Sequence, residues 1–158
     1  MDLLKNPILK KLLGIDDTPN RIALGFGLGL FLGVFPGTGA IAAVVCATFL
    51  RINKPASLAG ALLVNTWINI VAFPIAVIIG AFCFGINVEV LKNQWTTLIA
   101  HFSWSQLLTG IVLKSVVAVV VGYVAIGAVM AFVGYVIVFY VVRRIQSKKK
   151  SQVEGRVF

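Results

Sequence analysis

Pro36-Gly37-Thr38-Gly39 lies in the middle of an apolar run that extends from Ile22 to Leu50. A soluble helix of that composition has no use for a proline and two glycines at its centre, because proline removes a hydrogen bond and glycine loosens the backbone. A membrane segment that turns back on itself does. Ile22–Phe35 is fourteen residues and Ala40–Leu50 is eleven, about 21 Å and about 16 Å of helix at 1.5 Å per residue. A hydrocarbon core about 30 Å thick needs about twenty helical residues. Neither arm crosses alone, and joined straight they overshoot. Two solutions remain: a re-entrant hairpin (about 19–50) with its turn near mid-depth, or one long, tilted helix kinked at Pro36. The hairpin keeps Arg21 and Arg51 on one side, as the positive-inside rule prefers, whereas the kinked helix sends Arg51 and Lys54 outside. The hairpin is therefore the economical reading. Irregular backbone at that depth is tolerated only where protein buries it or where it lines a wet cavity.

The rest of the chain fits a membrane setting. Of 158 residues, 59% are hydrophobic and only 12% charged, against about 25% charged in soluble domains. The length suits one membrane domain, residues 18–142, between a basic segment at 1–17 and a basic tail at 143–158. The formal net charge is +9, but the lysines and arginines sit at the ends of apolar runs. That pattern speaks for topology and not for nucleic acid. Cys46 and Cys83 lie inside apolar runs and read as small buried hydrophobes. No cleavable leader is evident, so the first membrane segment would direct insertion.

In the N-terminal segment Leu4, Ile8, Leu12 and Ile15 repeat at helical spacing, interrupted by Lys5, which suits a helix lying on an anionic leaflet. Asp16-Asp17-Thr18-Pro19 is a helix start: Thr18 caps, proline suits the first turn and the carboxylates suit the dipole. Gly25, Gly29 and Gly33 form a ridge along which another helix can approach closely, in this chain or another.

Ser57–Gly85 is long enough to cross as one helix, with Asn65 and Asn69 one turn apart on a shared face near mid-depth and Pro74 kinking or breaking it beyond them. Buried amides in lipid either hold a bundle together or line a polar site. Val88–Ala100 reads as a short interfacial helix near Trp95. His101 lacks companion ligands, and Ser103-Trp104-Ser105-Gln106 fits a capping box. Gln106–Val142 is the last crossing, and Arg143, Arg144 and Lys148–Lys150 hold its end in the cytoplasm. The tail to Phe158 is expected to be disordered. The expected architecture is thus an all-α integral membrane protein: a re-entrant hairpin plus two or more transmembrane helices, both termini cytoplasmic, in a bacterial inner membrane.

No catalytic constellation, Walker loop or metal spacing is present, so neither an enzyme nor a cofactor is expected. If Ala40–Leu50 is a half-helix, its N-terminus points free N–H groups into the protein interior, which is an anion site by geometry. Transporters use broken helices in this way.

The pattern Arg21-Ile22-Ala23-Leu24-Gly25, Gly29, Phe31, Gly33, Pro36 and Gly39, then Arg51, Asn53, Pro55 and Asn65, resembles the bacterial membrane family labelled domain of unknown function 2062. The resemblance covers roughly residues 18–85. Two positions depart from it: Thr66 stands where the family usually has proline, and Ile41 where a polar residue is common. Some members look fused to glycosyltransferases that use polyprenyl-phosphate carriers, which implies lipid-linked sugar or carrier metabolism. The broken hairpin is also similar to that of re-entrant lipid-transport folds of the DedA type. The expected function is binding or translocation of an anionic lipid head group such as a polyprenyl phosphate. Gly37, Thr38 and Gly39 would supply backbone donors, Asn65 and Asn69 amides, and Arg21 and Arg51 the phosphate-gathering charge. The alternative is a non-catalytic accessory subunit that oligomerises, or docks an envelope-biogenesis enzyme, through Gly25, Gly29 and Gly33. A small-solute exporter ranks last, because no acidic residue lies within the membrane runs.

Overall fold

The computed structural model describes residues 17–35, 37–64, 66–100 and 110–154. Their secondary structure is helical throughout: α1 Pro19–Gly33, α2 Gly39–Phe49, α3 Lys54–Leu63, α4 Thr66–Phe84, α5 Val88–Ala100 and α6 Gly110–Glu154. The amphipathic stripe before residue 17, Pro36, Asn65, His101, the capping box at 103–106 and the last four residues lie outside the described residues.

Thr18 is extended, its side chain accepts from the Arg21 N–H at 3.4 Å, and Pro19 opens α1. The capping expected from the sequence is present. After α1 the chain turns with Gly37 at φ +88°, a conformation that suits glycine. α2 then doubles back along α1. At the turn, a Cβ on Gly39 would stand 2.8 Å from the Gly33 Cα. At the other end the Arg21 guanidinium donates to the Arg51 carbonyl, through Nε at 3.1 Å and through Nη2. The pair is a helical hairpin, tied at its base.

α2 ends in a Schellman motif: Ile52 N–H bonds the Ala47 carbonyl at 3.1 Å and Arg51 N–H the Thr48 carbonyl at 3.3 Å. The left-handed position of that motif usually belongs to glycine. Here it is Arg51, at φ +53°, where a non-glycine residue gives up about 1 kcal/mol or more. α4 ends in the same motif, with Ile86 N–H on the Ala81 carbonyl and Gly85 N–H on that of Phe82. There the left-handed residue is Gly85, at φ +62°.

α3 runs parallel to α1 and fills its glycine ridge. The ridge at Gly25, Gly29 and Gly33 lies against Asn53, Ser57 and Ala61, and Gly60 returns the contact against Phe26 and Leu30. The partner of the ridge is therefore in the same chain. The accessory reading had offered this ridge to another protein; packing from within already occupies it. Asn53, buried, caps α3 by accepting from Ala56 N–H at 2.9 Å. Asn53→Ala is expected to lower stability by about 1–2 kcal/mol, read as a fall in thermal midpoint in detergent. Thr18→Ala should cost less, since its bond is long and exposed.

The second apolar run is not one helix. α3 and α4 meet at 80° across a break after Val64, so Asn69 does not continue the α3 axis. Val64 is buried against the Gly33 end of the ridge; where the ridge ends, α3 ends. Pro74, expected to kink or break the helix, does not break it: it sits inside α4. It lies on an exposed face, where the helix absorbs the loss of one hydrogen bond. α5 folds back on α4, with Trp95 edge-on to Phe73 at 5.9 Å. α6 packs antiparallel to α4 through Gly122 on Ala76 and Gly80 on Ala118, and antiparallel to α1 through Gly127 on Phe31 and Gly27 on Ala131. It runs to Glu154, well into the tail expected to be disordered. No glycine or proline interrupts it between Gly134 and Gly155, and Arg, Lys, Gln and Glu are good helix formers.

Leu30, Val34, Val64, Ala76, Leu91 and Val119 form the core. Outside it stand many large apolar side chains, among them Phe82 at 89% exposure, Phe49 at 83% and Ile41 at 73%. Soluble monomers rarely expose contiguous apolar surface on that scale. Within α6, Val112–Lys148 is long and apolar enough to cross a bilayer; α3 with α4 qualifies only if the bent pair is one span.

Candidate functional site at two helix breaks

Two interruptions of the chain meet in space. The turn between α1 and α2 and the break between α3 and α4 border one pocket of about 230 Å³, lined by Gly33, Phe35, Gly37, Gly39, Ala61 and Asn69 among others. The glycine ridge brings this about. Because α1 and α3 run parallel and in close register from Gly25 on Asn53 to Gly33 on Val64, both end at the same level.

Four helix termini therefore surround the pocket: the C-terminal ends of α1 and α3, and the N-terminal ends of α2 and α4. In α2 the first backbone bond closing the helix runs from Ala42 N–H to the Thr38 carbonyl at 3.0 Å. The N–H groups of Gly39, Ala40 and Ile41 thus have no acceptor within the helix. Thr38 sits at the cap position without making a side-chain cap bond. This leaves the positive end of the α2 dipole uncovered by its own side chain. Lining the same pocket, Asn69 has a buried Oδ1 with no hydrogen-bond partner among the described residues. Such an atom costs about 1–3 kcal/mol when left unmatched. An amide offers a donor or an acceptor by turning over.

The residues proposed from the sequence thus fall into two groups. Gly37, Gly39 and Asn69 line the pocket; Thr38, between the two glycines in sequence, is exposed and is not among its lining residues. Asn65 is outside the described residues. Arg21 and Arg51 are together, but at the base of the hairpin, about 16 Å away along the eleven residues of α2. There Arg21 bridges the Arg51 carbonyl and the Asp17 carboxylate, the latter at 3.1 Å. Phe35, Ala61 and Val64 were not singled out from the sequence. The small residues Ser57, Gly60 and Ala61, at helical spacing opposite the glycine ridge, carry the signal that would have found them. Among the described residues no three His, Cys, Asp or Glu side chains gather as metal ligands.

Among the described residues the fold is all-helical, with one helix fit to cross a bilayer and a small pocket where two helical pairs break. The chain belongs to the bacterial family described as "Uncharacterized protein conserved in bacteria (DUF2062)", which it matches over residues 4–151. No curated protein and no solved structure matches it.

Proposed function

We propose that this chain is a small multi-pass protein of the bacterial inner membrane that binds, and passes across the bilayer, an anionic lipid head group such as a polyprenyl phosphate. In this reading α6 crosses fully, α3 and α4 cross as a bent pair, and the hairpin of α1 and α2 enters and leaves on the cytoplasmic side. The chain acts as a binder and carrier and not as an enzyme.

The observation that carries the reading is that one pocket at the two breaks is bordered by the N-terminus of α2, which lacks a side-chain cap, and by the unmatched Asn69 Oδ1. Free N–H groups at the positive end of a dipole favour a phosphate oxygen. The amide supplies one more donor, or accepts from a hydroxyl. At mid-depth in a bilayer these groups would act in a low dielectric, where each is stronger than in water. The long exposed apolar faces of α4 and α6 suit lipid tails travelling beside the pocket.

The test is traffic of a fluorescent short-chain polyprenyl phosphate in vesicles, followed by quenching from outside. Protein-loaded vesicles should expose inner-leaflet label faster than empty ones; equal rates would contradict the proposal. Thr38→Val removes the hydroxyl at the cap position of α2, between the lining residues Gly37 and Gly39. It is expected to slow traffic about fivefold, the equivalent of a hydrogen bond of roughly 1 kcal/mol.

A further inference from the structure

A second concavity lies at the other end of the hairpin. It has a volume of about 580 Å³ and is lined by Leu24, Leu28, Leu50, Ile52, Phe132 and Tyr135, with further apolar neighbours from α1 and α6. It opens beside the base, where Arg21, Arg51 and Lys54 are exposed. From this end onward α6 is tied to the start of α1 by two contacts: the Tyr135 hydroxyl donates to Asn20 Oδ1 at 2.8 Å, and the Gln146 amide to the Asp17 carbonyl at 2.9 Å. Arg143 and Arg144, also exposed, fall between those contacts. Among the described residues the acidic group at this end is Asp17, already paired with Arg21.

Arg51 stands between two of the lining residues. Its guanidinium meets no acceptor among the described residues, while its backbone holds the left-handed position of the Schellman motif. The chain places glycine at the equivalent position of α4, Gly85. Keeping an arginine where glycine is easier points to a use for the side chain. We propose that the groove and Arg51 form a binding site for an anionic phospholipid, one acyl chain lying in the groove and the phosphate on the Arg51 guanidinium. The charge argues for this occupant over the chain's own N-terminal stripe. That stripe brings Lys5, Lys10 and Lys11, which would add cations to an end already rich in them. The site shares only the bilayer setting with the pocket at the helix breaks.

The test uses the full chain, equilibrated in mixed micelles with equal phosphatidylglycerol and phosphatidylcholine and read by native mass spectrometry. Wild-type protein should retain phosphatidylglycerol in preference. Arg51→Gly should lower that preference about fivefold while the thermal midpoint stays level or rises, since glycine is at ease there. Arg51→Asn, also tolerant of the left-handed region, should repeat the loss. Asn69→Leu should leave the preference intact, which separates this site from the pocket. An unchanged preference in both Arg51 variants overturns the assignment. So does a severalfold gain of retained lipid in the double variant Leu4→Ser, Ile8→Ser, which would make the N-terminal stripe the occupant.

Discussion

Gly29→Leu is expected to leave no folded protein. A Cβ at this position would fall inside van der Waals contact with the Ser57 carbonyl oxygen and stand 2.8 Å from the Ala61 amide nitrogen. Both obstacles are backbone atoms of α3 and cannot rotate away. The helices must separate, and with them goes the bond from the Asn53 N–H to the Arg21 carbonyl at 3.4 Å. Overpacking of a close interface costs about 1–3 kcal/mol for small intrusions and more where backbone meets backbone, so a leucine should exceed the margin of a marginally stable domain. The measurement is monodispersity and thermal midpoint in detergent, with Gly29→Ala as the milder variant. Gly37→Ala is the control. Among the described residues nothing lies within 4 Å of a Cβ placed there, and only the positive φ resists the change, so the loss should be about 1–2 kcal/mol. Equal tolerance of Gly29→Leu and Gly37→Ala would mean that α1 and α3 do not pack as described.

Asn69→Leu is expected to have the opposite signature: a protein at least as stable as wild type that no longer moves lipid. The amide oxygen is buried without a partner among the described residues, and replacing it by an apolar group of similar size should recover about 1–3 kcal/mol. Traffic of the labelled polyprenyl phosphate should fall to the rate of empty vesicles. Stability gained at the expense of activity marks a site kept polar for use. A variant that is stabilised and still carries lipid would place the site elsewhere. A variant that is destabilised would make Asn69 a structural bond.

The hairpin was legible in the sequence because it depends on local features that periodicity and punctuation report. Thr18-Pro19 opens a helix, Pro36–Gly39 ends one, and the arms are too short to cross. The boundaries of α5 at Val88 and Ala100 came from the same kind of signal. The break between α3 and α4 was not legible. Proline is the loudest local signal in that run, and it stands at Pro74, inside a continuous helix. The helix actually ends at Val64, where tertiary packing on Gly33 runs out, and no residue there announces it. The extension of α6 to Glu154 was missed for the converse reason. A run of charge reads as disorder, although the same residues form a helix readily once an apolar helix has been nucleated ahead of them. Of the residues proposed from the sequence, Gly37, Gly39 and Asn69 line one pocket; they were legible as candidates because glycine turns and lone amides in apolar runs are conspicuous. Arg21 and Arg51, read from the sequence as charge at the mouth of the hairpin, lie together at its base, because the length of each arm sets their distance from the turn.

Central to the account is that the chain returns at Arg51 to the level from which it set out at Thr18, with the turn at Gly37 lying between. Side-specific labelling tests this directly. In a background with Cys46 and Cys83 replaced by alanine, single cysteines at Lys54, Lys148 and Glu89 are treated with a membrane-impermeant maleimide, in intact cells and in inverted vesicles. Lys54→Cys and Lys148→Cys should react only in inverted vesicles and Glu89→Cys only in intact cells. Reaction of Lys54→Cys from the outer face would make residues 19–50 a full crossing, and the pocket between the two breaks would lose its place in the bilayer.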